Sequence, residues 1–372
     1  MITSHGTGSI FLTPQNFGLS DAAEAFVFLS GVSVSLSYAS TVQNGHAGLV
    51  IRRCAARAVK LYFVQIALAV SGMAIGLAAA KVAADDYIVV EQGLSRFIQS
   101  PLSSLVGVAT LDYQPSFTGI LPLYIVLMLW APVVLYLALR EPTLALLVSV
   151  AIYVVGRIHG GVRTESWPFD PFAWQLVFAI GIVCAVIWRK GPPPPRRGLV
   201  ALAVAIVLCG AIVSIKAMGI KSTAIAHLDL GKTELGVVRL VHFLAVAYVI
   251  AAATAVQPWS TYLNRIVCGR TGQRLQGMGR NSLFFYVFGA VASVVGRSLI
   301  AIAGSATTPH ISPHLVGFVY TTAAIAAMFG LERRMTRGRS KQRWRQNERP
   351  GELTATPNSL ETETDAGRGA AA

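Results

Sequence analysis

Asp21 and Glu24 stand three residues apart at the mouth of a long apolar run, SDAAEAFVFLSGVSVSLSYAS, Ser20 to Ser40. Charge at the edge of a hydrocarbon-spanning helix is expensive, which marks the pair as candidate catalytic residues. The same two acids also suit a helix start: Ser20 or Asp21 can cap it, and negative charge complements its positive end. The two roles are compatible. His5, in SHGTGS, precedes this helix. A carboxylate beside a histidine orients the ring and favours the imidazolium, so His5 is a candidate general base. On spacing alone, a solvated terminal histidine is the simpler reading, because proximity in sequence is not a hydrogen bond. Ser30 and Gly31, inside the helix, point to close helix packing rather than chemistry.

Arg239 and His242 lie one turn apart in VVRLVHFLAVAY. An arginine at membrane depth needs an anionic partner or a wet cavity, or it snorkels to the interface; both readings stand. Asn281, Ser282 and Tyr286, in GRNSLFFYVFG, open a later helix beside Arg280. That N-terminus could hold an anionic group such as a phosphate, although a plain N-cap with flanking positive charge explains it more simply. Asp112, Tyr113 and Gln114 could bind a sugar or end a loop. Trp174, in FDPFAWQLVFAIG, fits an interfacial aromatic belt. Arg239, His242, Asp112, Tyr113 and Asn281 are thus the candidate substrate contacts. Cys54, Cys184, Cys209 and Cys268 lack metal-ligand spacing, and no metal is expected. Cys54 and Cys268 fall among arginines expected on the reducing side, which argues against structural disulfides.

The elements that position these residues are membrane-length. Of 372 residues 54% are hydrophobic and 13% charged, with mean hydropathy +0.58. A soluble domain would carry roughly a quarter charged residues. Apolar runs long enough to span a bilayer recur, and predict helices over 23–41, 57–80, 119–139, 143–157, 172–188, 198–216, 237–257, 281–303 and 313–332. The fold class is therefore all-α, a polytopic transmembrane bundle of about nine helices. The fourth is short as read and is expected to be longer or tilted.

The net charge of +14 would suggest nucleic acid in a soluble protein. Here the basic residues cluster in alternate connections: Arg52 to Lys60, Arg189 to Arg197, Arg265 to Arg280, and Arg333 to Arg339. By the positive-inside rule these face the cytoplasm, and no nucleic-acid partner is expected. The intervening loops, 81–118, 158–171, 217–236 and 304–312, then face outward. Residues 1–332 read as one membrane domain, and 333–372 as a basic, then disordered, cytoplasmic tail. GPPPPRR, Gly191 to Arg197, reads as a stiff spacer. Nine crossings with an inward C-terminus place Met1 outside without a signal peptide, and a further helix upstream is the simplest repair.

Thr13 to Gly31, TPQNFGLSDAAEAFVFLSG, resembles the signature of the OpgC family, integral membrane proteins of the wider acyltransferase-3-like group. ILPLYIVLML, DPFAWQLVFAIG, VRLVHFLAVAY and GRNSLFFYVFG resemble its later helices in the same order, so the likeness covers about residues 2–332. It implies a ten-helix inner-membrane acyltransferase whose first helix is absent here. The donor would be a cytoplasmic acyl-CoA, succinyl-CoA above all, and the acceptor a periplasmic glucan or polysaccharide. HGTG, His5 to Gly8, matches the family's His-x-x-Gly turn, which lifts His5 to the best candidate base. The rival readings are a glycan or lipid transporter, which should show broken helices or ionisable groups at mid-bilayer, and a non-catalytic scaffold.

Overall fold

The computed structural model describes residues 19–83, 87–115, 119–160, 167–189, 191, 193–219, 229–256, 259–304 and 312–347. Among them lie fourteen helices and no strand. Nine are long: α1 Ala22–Gln43, α2 Ala47–Ala83, α6 Ile120–Arg140, α7 Pro142–His159, α8 Pro171–Trp188, α9 Arg197–Gly219, α10 Val237–Ala255, α13 Ser282–Gly304 and α14 Pro313–Asn347. Five are short: α3 Tyr87–Glu91, α4 Ser95–Gln99 and α5 Pro101–Ala109 after α2, and α11 Trp259–Cys268 and α12 Arg270–Arg280 after α10. Eight of the long helices have the length and composition to cross a membrane, and α9 adds a shorter apolar stretch over Arg197–Val213. The chain is a multi-pass membrane protein.

α8 forms the centre. Its Trp174, Phe178, Ala179 and Ile182 are completely buried. α1, α6 and α7 pack around it. The crossing of α1 and α8 is reciprocal: a Cβ on Gly31 would lie 2.2 Å from the Phe178 carbonyl oxygen, and one on Gly181 would lie 2.2 Å from that of Phe28. Lipid tails give helices no hydrophobic drive to associate, so such backbone-to-backbone approaches carry the packing. The expectation that Ser30–Gly31 marks a packing site holds. The outer faces are unlike those of a soluble protein. Phe63 is 65% and Leu102 78% exposed, as suits side chains turned to lipid rather than water.

Four expectations are corrected. α2 begins at Ala47, ten residues before the expected 57, so Arg52 and Arg53 are helical rather than in a loop. Basic residues are good helix formers, and hydropathy alone stops short of them. The loop after α2 contains α3–α5, which fold back so that Val89, Leu94, Val108 and Tyr113 pack on Ala69 and Met73. The stretch before α13 holds α11 and α12. Helical order in α14 extends to Asn347, past the expected end at 332. α7, at Pro142–His159, is longer than the run read from sequence, as anticipated.

Candidate functional site

α1, α8 and α10 start at the same end of the bundle, and an aspartate completes each start. Asp21 Oδ1 accepts the Ala23 N–H (2.8 Å), while the Glu24 carboxylate accepts the Asp21 N–H (2.9 Å), a capping box. Asp170 Oδ1 accepts the Phe172 N–H at 3.0 Å. α10 begins at Gly236, which offers no side chain, and Asp229 Oδ2 accepts the Val237 N–H in its place at 2.9 Å. Three positive helix ends thus converge on one locality.

The turn 229–236 is held from several sides. The Trp174 indole N–H donates to the carbonyls of Lys232 (3.0 Å) and Thr233 (3.1 Å). The Asp170 N–H donates to the Thr233 carbonyl at 2.9 Å. The Tyr153 hydroxyl donates to the Leu235 carbonyl at 2.9 Å, and Arg157 pairs with Asp229 at 2.8 Å. Leu235 is fully buried at φ +48°, a left-handed conformation costing a non-glycine residue on the order of 1–3 kcal/mol that the surrounding contacts must offset. Trp174 is therefore a buried strut for this turn, not a member of an interfacial belt.

Lys232, so placed, contacts Asp21 Oδ2 at 2.7 Å and lies 5.5 Å over the Phe169 ring. Arg239, in the first turn of α10, donates through Nε to Glu24 and stands with Nη2 3.0 Å from Asp21 Oδ2. That second contact is an ion pair without hydrogen-bond geometry, and the buried Nη2 has no hydrogen-bond acceptor among the described residues. Arg239 has anionic partners and does not snorkel. Glu24 is completely buried, and a buried carboxylate persists only when paired. For Asp21, burial opposes ionisation, but the hydrogen bonds from Lys232 and the Ala23 N–H and the charges of Lys232 and Arg239 outweigh it. The carboxyl is held at about 2, ionised through the physiological range.

His242, one turn beyond Arg239, is 3% exposed. Its Nδ1 shares a hydrogen bond of 2.8 Å with Ser20 Oγ, just before the α1 cap. Its ring lies on Gly210 of α9, where a Cβ would approach Nε2 to 2.5 Å. Nε2 is buried without a hydrogen-bond partner among the described residues. Asp21, not Ser20, is the cap, and Ser20 is free to serve the histidine.

The structure thus brings Asp21, Glu24, Arg239 and His242 together. Sequence reasoning missed Lys232, which looked like a loop lysine, and the pairing of Ser20 with His242. The scarcity of other acids beside an intramembrane arginine was the one available signal. Asp112 and Tyr113 belong elsewhere, in the α3–α5 subassembly. Asp112 pairs with Arg96 at 3.1 Å, and both are about half exposed. The buried Tyr113 hydroxyl donates to the Gly93 carbonyl, Arg96 covers its ring, and burial raises its pKa. Asn281 joins two helices: it closes α12, its amide donating to the Gly277 carbonyl at 3.0 Å, and it opens α13, its own carbonyl accepting the Phe285 N–H at 3.2 Å. His5 lies outside the described residues.

The model of a protein family described as OpgC protein matches residues 2–334. No curated protein and no solved structure is similar enough to the chain to count as a match.

Proposed function

From the premise that the chain belongs to the OpgC family, which points to a membrane protein of osmoregulated periplasmic glucan modification, we propose that it is an inner-membrane acyltransferase. It would transfer an acyl group, succinyl by preference, from an acyl-CoA to a glucan hydroxyl. The observation that supports this reading best is the buried charge cluster at the joined ends of α1, α8 and α10. It sits opposite the Arg-rich connections that follow α8 and α10, hence on the side that the positive-inside rule turns away from the cytoplasm, toward the acceptor.

The chemistry asks for a base on the acceptor hydroxyl, donors fixed around the carbonyl, and little water. His5 is the proposed base. Asp21 and Glu24 act by fixing the two cations: with Asp21 ionised and Glu24 held between Arg239 and the Asp21 amide, the guanidinium cannot swing toward solvent. Arg239 and Lys232, with three helix ends behind them, supply the positive field that a developing oxyanion needs. Asp112, Tyr113 and Asn281 are occupied in holding α3–α5 and α12, and the proposal places no step on them.

The test is transfer of labelled succinyl from succinyl-CoA to glucan in membranes carrying the protein. His5→Ala should lower it by ~10²–10⁴-fold, the usual worth of a general base, with membrane insertion unchanged. Parental activity in that variant removes His5 from the mechanism. Movement of glucan across the membrane without acylation would replace the enzyme by a transporter.

A further inference from the structure

From Gly236 to Asn347 the chain contains a single acidic residue, Glu332. Glu332 is buried near the inner end of α14, where it accepts the Thr336 hydroxyl at 2.7 Å. It packs on α12 at Gly277, where a Cβ would fall 2.7 Å from its Oε1. This contact gathers cations. Arg274 and Arg280 lie one turn to either side of Gly277, and Arg333 and Arg334 follow Glu332 directly. Arg274 is half-buried and the other three are exposed. None of these four arginines is ion-paired among the described residues. Like charges held together repel, and one buried carboxylate cannot offset four guanidinium groups. The missing counter-charge has to come from outside the chain. The neighbouring helix indicates its source. α11 has ten residues, about 15 Å of helix, too short to cross a bilayer. Tyr262, Ile266 and Val267 share one side of it and are exposed, while Arg265 stands on the other. Leu275, on the side of α12 turned away from Gly277, is exposed as well. A helix with an apolar side and a cationic side lies in the plane of the membrane surface.

We propose that α11, α12 and the inner end of α14 form a binding site for an anionic phospholipid of the cytoplasmic leaflet. Its phosphate is held among Arg280, Arg333 and Arg334, with Arg274 behind them. A guanidinium fork matches two phosphate oxygens at once, so arginine suits this task better than lysine. The acyl chains lie along Tyr262, Ile266, Val267 and Leu275. A soluble phosphate meets only the charged half of this surface and leaves the apolar half uncovered. Gly277 lets α12 close on Glu332 and so brings Arg280 alongside Arg333 and Arg334. The site stands at the opposite end of α10 from Arg239 and does not depend on the acyltransferase reading. Because its arginines are exposed, the attraction to the headgroup is screened by salt.

The experiment titrates the full chain, in a non-ionic detergent, with fluorescent phosphatidylglycerol and with phosphatidylcholine of the same acyl chains. Phosphatidylglycerol should bind saturably and more tightly, and added salt should narrow the gap. The triple variant Arg280→Gln, Arg333→Gln and Arg334→Gln should bind it ~10²-fold less tightly, at roughly fivefold per arginine. A second triple variant, Arg189→Gln, Arg196→Gln and Arg197→Gln, removes the same charge from the connection after α8 and should bind as the parent does. Ile266→Gln with Val267→Gln should weaken both lipids, because it removes contact with the chains and leaves every arginine in place. Equal losses in the two triple variants would mean a diffuse cationic surface and overturn the site. Displacement of the bound phosphatidylglycerol by coenzyme A or inorganic phosphate at matching concentration would give the arginines to a soluble anion and overturn the lipid.

Discussion

Two ion-paired regions lie at the same end of the bundle and share little beyond charge. Around Arg239, the carboxylates of Asp21 and Glu24 come from another helix, the guanidinium side chain is 11% exposed, and Glu24 is sealed from solvent. Around Arg96, the partner Asp112 is sixteen residues away in the same fold-back segment, and the side chains are 44% and 49% exposed. Water screens the second pair and makes it nearly optional. It cannot screen the first, where losing one member strands the rest. The first also carries leftover donors and acceptors, whereas Tyr113, beside the second, has its hydroxyl bound. Unspent capacity in a buried, fixed network is the better guide to chemistry than charge alone.

The sharpest way to break this contrast is Arg239→Met. It leaves the fully buried Glu24 without its cation and should cost about 3–5 kcal/mol, seen as a large loss of monodisperse protein in detergent. Recovery equal to the parent's would mean that the cluster is wet. Asp21→Asn is next. Asparagine caps a helix as well as aspartate does, so the variant isolates the charge. The folded carboxyl sits at about 2 against an ordinary 3.8, so its stabilisation is fully present above about pH 4 and is lost as pH falls toward 2. The variant should be less stable by roughly 2 kcal/mol at neutral pH. Its thermal midpoint should converge with the parent's in acid, and a constant gap across pH would refute the ion pair. Lys232→Met should cost about 1 kcal/mol at most, because the lysine side chain is 43% exposed. Asp112→Asn closes the series, with a midpoint within the error of the parent's. A shift as large as that of Asp21→Asn would erase the distinction between the two regions.

The long helices were legible because hydropathy and length alone define a membrane span, and Ser30–Gly31 announced its packing role. α3–α5 were not, since pieces of five to nine residues have no periodicity to read and owe their helicity to α2 beneath them. Of the site, Asp21, Glu24, Arg239 and His242 could each be named, because charge in an apolar run is conspicuous. Their meeting could not be named, because it depends on the Gly31–Gly181 crossing that sets the level of α1 against α8. Lys232 was invisible for a related reason: the turn that aims it is shaped by Trp174, Tyr153 and Asp170, none adjacent to it in sequence. Asn281 was legible as a helix start but not as the end of α12 as well, because the two helices abut there without a loop.

The span of 215 residues between Glu24 and Arg239 also has a meaning in time. A ribosome adding roughly 5–20 residues per second needs about 10–40 s to cover it. For that interval α1 exists without the cation its two acids require, and the Gly31 groove has no Gly181 until α8 emerges. The newborn helix must wait with its acidic end at the lipid headgroups or in the care of the insertion machinery. The arrival of α10 then closes the cluster, so a chain interrupted before that helix is left with exposed acids that quality control can recognise.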